Sequence, residues 1–165
     1  MIDQFCDWLA EGALSHALQA TSWAVPLIQT IHILGIAVVL SSMAMLGLRM
    51  TGLAYRSQAI AEVGARLLPW MWRALPVMVV TGALLIIAEP KRSLPNAAFQ
   101  FKMLMLLAMV AVSLIIGRAI AIATAAAGRQ GDAVLRDTAQ AKLIGLTVLI
   151  AWTGIVVAGR WIAYI

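Results

Sequence analysis

Residues 23–48, WAVPLIQTIHILGIAVVLSSMAMLGL, contain one histidine and no Asp, Glu, Lys or Arg. A helix needs about 20 apolar residues to cross the roughly 30 Å hydrocarbon core of a bilayer. The stretch is long enough to do so, and His32 lies well inside it. Three comparable stretches follow at about 67–88, 99–122 and 143–162. Composition points the same way: 63% hydrophobic residues, 12% charged residues and a mean hydropathy of +0.95 lie outside the range of ordinary soluble domains. Strands are disfavoured because an unclosed sheet leaves backbone donors unpaired in lipid, and the segments lack the alternation of an outer-membrane barrel. The expected fold is all-α, an integral membrane four-helix bundle, and 165 residues leave room for a single domain over 1–165.

Basic residues near span ends resist translocation, whereas acidic ones matter little. Arg49, Arg56, Arg66 and Arg73 flank the first connection, and Arg118, Arg129, Arg136 and Lys142 flank the third. Lys91, Arg92, Lys102 and Arg160 fall on the opposite side. The pattern predicts a bacterial inner-membrane protein with both termini periplasmic. It also accounts for a pI near 10.2 without nucleic acid, which would require a basic, water-exposed face with polar or aromatic readers.

The first twenty residues have neither a basic start nor a small-residue cleavage site, so they do not read as a removable signal peptide. Ile2, Phe5, Leu9 and Ala13 share a helical face against Asp3, Gln4, Asp7 and Glu11, which predicts a short amphipathic helix over 1–20 on the outer interface, carrying His16. Cys6 has no partner for an internal disulfide and reads as an ordinary free thiol. Residues 59–66 suggest a further short surface helix before Pro69 and Trp70, and Gly128 to Asp137 a polar loop. The connection 89–96 is short and contains two prolines, which makes spans two and three antiparallel neighbours. Glu89 and Arg160, at the outer ends of spans two and four, are expected to pair.

Titratable groups at membrane depth are costly and by default mark a functional site. At about 1.5 Å of rise per residue, His32 lies about 12 Å below the outer end of its span. Thr81 and Gly82, Met105 to Met109, and Trp152, Thr153 and Gly154 come to a similar depth in the other spans. Gly35, three residues after His32, removes a side chain beside the imidazole. Gln29, three before it, is placed to fix the ring tautomer by hydrogen bonding. A flat, bulky ligand between helices requires such a layer.

Simple packing explains part of the same pattern, because small residues let helix backbones approach in lipid, and methionine is an ordinary core filler. Haem iron is commonly held by His/His or His/Met pairs, and the chain offers His16, Met105 or Met109 beside His32. Hydrolytic chemistry finds no support: acid pairs, nucleophile elbows, phosphate loops and zinc-type clusters at usable spacing are all lacking.

The run 23–35, WAVPLIQTIHILG, with Leu48-Arg49, Thr51-Gly52-Leu53, Leu68-Pro69-Trp70, Thr81-Gly82, Phe99 with Lys102, and the closing GRWIAY of 159–164, resembles a family of uncharacterised bacterial four-helix inner-membrane proteins. Its overall pattern is similar to the membrane part of copper-resistance protein D. The resemblance covers nearly the whole chain and implies the same fold and location, with histidines at the positions of His16 and His32. Relatives often carry another histidine where this chain has Gly117. The family supplies no activity to transfer.

Three functions therefore stand as expectations. The first is a subunit binding haem b, with His32 as ligand, Gly35 and Gly82 giving clearance, and electrons passing to a periplasmic partner or quinone. The second is an accessory subunit docked on a larger membrane complex or on a copy of itself. The third is copper binding or transport at His32, His16 and the methionines, since soft thioether ligands suit Cu(I).

Overall fold

A computed structural model of the chain describes residues 2–127 and 139–161, and every regular element among them is a helix. The helices are α1 (Ile2–Ala10), α2 (Ala13–Ala20), α3 (Ala24–Thr51), α4 (Ile60–Ala88), α5 (Pro90–Ser93), α6 (Ala97–Ala127) and α7 (Ala139–Trp161). α3, α4 and α6 are long and apolar enough to span a membrane, and α7 carries a shorter apolar stretch, Ala141–Val157. The expected polar loop 128–137 lies outside the described residues.

Buried residues recur every three or four positions, so that each long helix contributes a stripe: Val39, Met43, Leu46 and Met50 on α3, Met109, Ile116 and Ile120 on α6, and Val148, Trp152 and Ile155 on α7. Val63, Leu68, Met71 and Met78 of α4 complete the core. Outside it, large apolar side chains stand exposed on every long helix, among them Ile33, Leu34, Val79, Val80, Leu104, Leu107, Ile115 and Ile150. A protein in water rarely shows contiguous apolar surface on that scale, whereas acyl chains are its natural solvent.

Because lipid supplies no hydrophobic force between helices, close backbone approach has to hold them together. A Cβ on Gly145 of α7 would stand 2.8 Å from Gly47 O and 2.8 Å from Met50 Cβ of α3. A Cβ on Gly64 of α4 would stand 2.6 Å from Ile120 Cδ1 of α6. These crossings need glycine.

α3 ends on Gly52, whose φ of 73° places it in the left-handed region. The Gly52 N–H donates to Arg49 O and the Leu53 N–H to Leu48 O, the paired bonds that close a helix C-terminus. The surface helix expected at 59–66 is not separate: α4 runs unbroken from Ile60 through Pro69 and Pro76, and Ile60, Ala61, Val63 and Gly64 are already buried. Proline removes one backbone donor, but neighbouring helices hold the rest of the turn in place. The Arg73 guanidinium lies 5.6 Å over the Trp70 ring, one turn nearer the start of α4, so its charge is carried out of the apolar stretch towards the 52–59 connection.

At the other end, the predicted single N-terminal helix is two. Gly12 adopts an extended conformation (φ −66°, ψ 142°) between α1 and α2. Cys6 and Ser15 are buried, whereas Phe5 and Trp8 are exposed and stack on each other with ring centroids 5.9 Å apart. Three contacts tie this cap to the end of α4 and to α5. Cys6 Sγ lies 3.8 Å from Pro90 O, Lys91 Nζ pairs with Asp7 at 2.7 Å, and Gln19 Nε2 donates to Ala88 O at 2.8 Å. Glu89 pairs with Arg92 at 3.1 Å, three residues along. The side chain of Arg160, its expected partner, lies outside the described residues.

Candidate functional site

His32 is half-buried on α3, two turns from its N-terminal end, and faces α4. Its Nδ1 lies 2.8 Å from Thr81 Oγ1. The α3 and α4 depths deduced from the sequence therefore meet: the histidine finds Thr81 at its own level. Thr81, 6% exposed, also places its hydroxyl 2.7 Å from Val77 O and 3.3 Å from Met78 O. A hydroxyl has one proton, and a carbonyl oxygen at that distance can only accept it. Thr81 Oγ1 must then accept from His32, which puts the proton of the neutral imidazole on Nδ1 and the ring's lone pair on Nε2.

The residue expected to set that tautomer was Gln29. Its side chain is exposed, and Thr81 performs the role from the facing helix. A polar side chain one turn away on the same helix competes with solvent and headgroups, whereas one on a packed neighbour is held at bonding distance.

The glycines also serve differently. Gly35 is buried, but a Cβ there would stand 2.8 Å from Met78 Cγ, so the space beside it is filled by methionine. A Cβ on Gly82 would stand 3.3 Å from His32 Cε1. Gly82 therefore makes room for the imidazole itself. Neither glycine leaves a slot between α3 and α4 for a macrocycle.

The remaining layer residues are dispersed. His16 is exposed on α2, beside the buried Ser15, and its side chain makes no hydrogen bond among the described residues. Met105 is partly buried against the core. Met109 is 3% exposed, and its carbonyl accepts from Ser113 at 2.7 Å. The Ser113 hydroxyl also lies 3.5 Å from Met43 Sδ, which is three turns along α3 from His32. Gly154 borders open space: a Cβ there would meet nothing within 4 Å.

Trp152 is the member that sequence reasoning undervalued. It is 4% exposed, and its Nε1 is the buried side-chain N or O atom without a hydrogen-bond partner among the described residues. An unpaired buried donor costs about 1–3 kcal/mol. Depth matching placed it in the layer, but its isolation shows only in the packing.

Among the described residues no three of His, Cys, Asp and Glu gather as metal ligands. A groove of about 450 Å³ at the α1–α2 elbow, lined by Trp8, Glu11, Gly12, Leu14 and Ile87 among others, belongs to the cap rather than to His32. Comparison with protein families, with curated proteins and with solved structures finds no match to this chain.

Proposed function

We propose that the chain is a multi-pass protein of the bacterial inner membrane in which α7 crosses beside α3, α4 and α6, with α1–α2 on the periplasmic side. What supports the orientation is the placement of Arg49, Arg56, Arg66, Arg118 and Lys142 at the end of the 52–59 connection. The glycine crossing of α3 and α7 supports membership of the fourth helix in the bundle.

Within that bundle His32 acts as ligand to a metal-centred group, haem b first, in a subunit that passes electrons to a periplasmic partner or quinone. The observation that carries this reading is the 2.8 Å contact of His32 Nδ1 with Thr81 Oγ1, because a histidine that ligates through Nε2 characteristically donates Nδ1–H to an oxygen that fixes the ring. Haem would supply the one-electron chemistry. The chain itself contributes the oriented imidazole and a surround of low dielectric. Because the space at Gly35 and Gly82 is taken by Met78 and the imidazole, such a group would lie outside the α3–α4 contact.

The second reading is an accessory subunit of a larger membrane complex or homo-oligomer. The filled glycines favour it, since they make the His32–Thr81 contact a tie between two closely packed helices. An absorption spectrum of the protein purified from haem-replete cells, with and without dithionite, separates the two. A Soret band that shifts on reduction and disappears in His32→Ala supports haem. Its absence refutes haem and leaves the accessory reading, unless stoichiometric copper is found that His32→Ala removes.

A further inference from the structure

The connection between α3 and α4 is closed by arginines. Arg49 of α3 donates through Nε to Gln58 O, and Arg66 of α4 donates through a terminal nitrogen to Gln58 Oε1 at 3.2 Å. Arg56 donates through Nε to Gly52 O. Two guanidinium groups from different helices thus converge on one neutral glutamine, with a third arginine in the same loop. The ion pairs formed among the described residues are Asp7–Lys91 and Glu89–Arg92, both at the opposite end of the molecule. Glu62, one turn before Arg66, forms none with it.

A preference for basic residues on one side of a membrane explains the sign and number of these charges. It does not explain why side chains on two helices are brought to one residue with no carboxylate between them. Each guanidinium spends one N–H on its tie and keeps the rest of its planar donor set, the group best matched to phosphate oxygens.

The surroundings identify the phosphate's source. Arg66 lies one turn before Trp70, which is 58% exposed and marks the interfacial level on α4. Leu53, 71% exposed, and Tyr55 stand on the same loop and offer apolar surface that free phosphate does not need. We propose that Arg49 and Arg66, with Arg56 beside them, hold the phosphate of an anionic phospholipid headgroup at this end of the bundle. The proposal requires only that the chain lies in a membrane and is independent of any role of His32.

The test is the relative association of spin-labelled phosphatidylglycerol over phosphatidylcholine with the full chain reconstituted in phosphatidylcholine vesicles. A preference for phosphatidylglycerol is expected, and Arg66→Gln should reduce it about tenfold or more, as loss of a hydrogen bond between charged groups does. Arg118→Gln, which removes another exposed charge at the same end, should change it by about fivefold or less, the ordinary worth of one basic residue at an anionic surface. Arg49→Gln should resemble Arg66→Gln. If that half-buried site fails to fold, Arg66→Gln alone decides. Equal losses from Arg66→Gln and Arg118→Gln would mean diffuse attraction and overturn the site, as would the absence of any lipid preference. Displacement of the labelled lipid by millimolar inorganic phosphate would overturn the lipid as the occupant.

Discussion

Replacing Thr81 by valine tests the arrangement on which the histidine site depends. Valine keeps the shape and β-branching of threonine but removes the oxygen that lies 2.8 Å from His32 Nδ1. Interhelical side-chain hydrogen bonds in membrane bundles contribute about 0.6 kcal/mol on average and reach about 1.7 kcal/mol. Thr81 is 6% exposed and its hydroxyl proton is committed to Val77 O, so its geometry is well fixed and the upper half of that range applies. The expected loss is about 1–1.5 kcal/mol, a factor of five to ten in the unfolding equilibrium. The assay is reversible unfolding in mixed micelles, run as a double-mutant cycle with His32→Ala. The coupling should recover most of the loss, because either change alone removes the same bond. Imidazole ¹⁵N shifts give an independent readout: neutral His32 should carry its proton on Nδ1 in the wild type and lose that bias in Thr81→Val. A coupling below about 0.3 kcal/mol, near the error of additivity, together with an Nε2–H tautomer in the wild type, would refute the proton assignment.

Gly145→Ala should destabilise the chain by about 1–3 kcal/mol in the same unfolding assay, because the new methyl meets backbone of α3 rather than a flexible side chain. Gly154→Ala, with nothing within 4 Å, should be neutral or slightly stabilising, and equal effects of the two would disprove the close α3–α7 crossing. Trp152→Phe should stay within about 1 kcal/mol of wild type, since lost volume is offset by removal of an unpaired donor, whereas Trp152→Ala should lose about 3–5 kcal/mol. If phenylalanine costs as much as alanine, the indole N–H has a partner in the native protein. Lys91 is held above its ordinary pKa of 10.5 by its hydrogen bond to and attraction for Asp7. Its pairing therefore supports the cap fully below pH 10.5 and fades as pH rises through the raised value. Trp8 emission should report cap loosening only in that alkaline window, and Lys91→Gln should abolish the transition while raising the rate of Cys6 alkylation at neutral pH by no more than about fivefold, the worth of an exposed ion pair.

The spans were legible because crossing a bilayer is a requirement on length and apolarity within each segment. Ala24–Thr51, Ile60–Ala88 and Phe99–Ile122 match the stretches read as 23–48, 67–88 and 99–122 to within one residue at their apolar ends, whereas the stretch read as 143–162 corresponds to the shorter apolar segment Ala141–Val157. Depth was legible for the same reason, since a constant rise per residue put Thr81 at the level of His32 before any contact was known. Local reading failed at two breaks. Pro69 did not end a helix: α4 runs unbroken through it, with the preceding turn packed on α6 at Gly64 and Ile120. Gly12 did divide one, although the apolar face continued past it.

Which way each side chain turned was decided by neighbours and not by its own helix. Gln29 was the partner expected for His32, and Thr81 took that place once α4 was laid against α3. Gly35 and Gly82 looked like vacancies until Met78 and the imidazole filled them. The sequence alone determined that the chain forms helices long and apolar enough to span a membrane and how far along its helix the histidine lies, because both follow from counting residues along one chain. Tertiary structure decided the histidine's partner, the use of the glycines and the meeting of Arg49 with Arg66 on Gln58, because these depend on the rotation and separation of helices, which no single segment encodes.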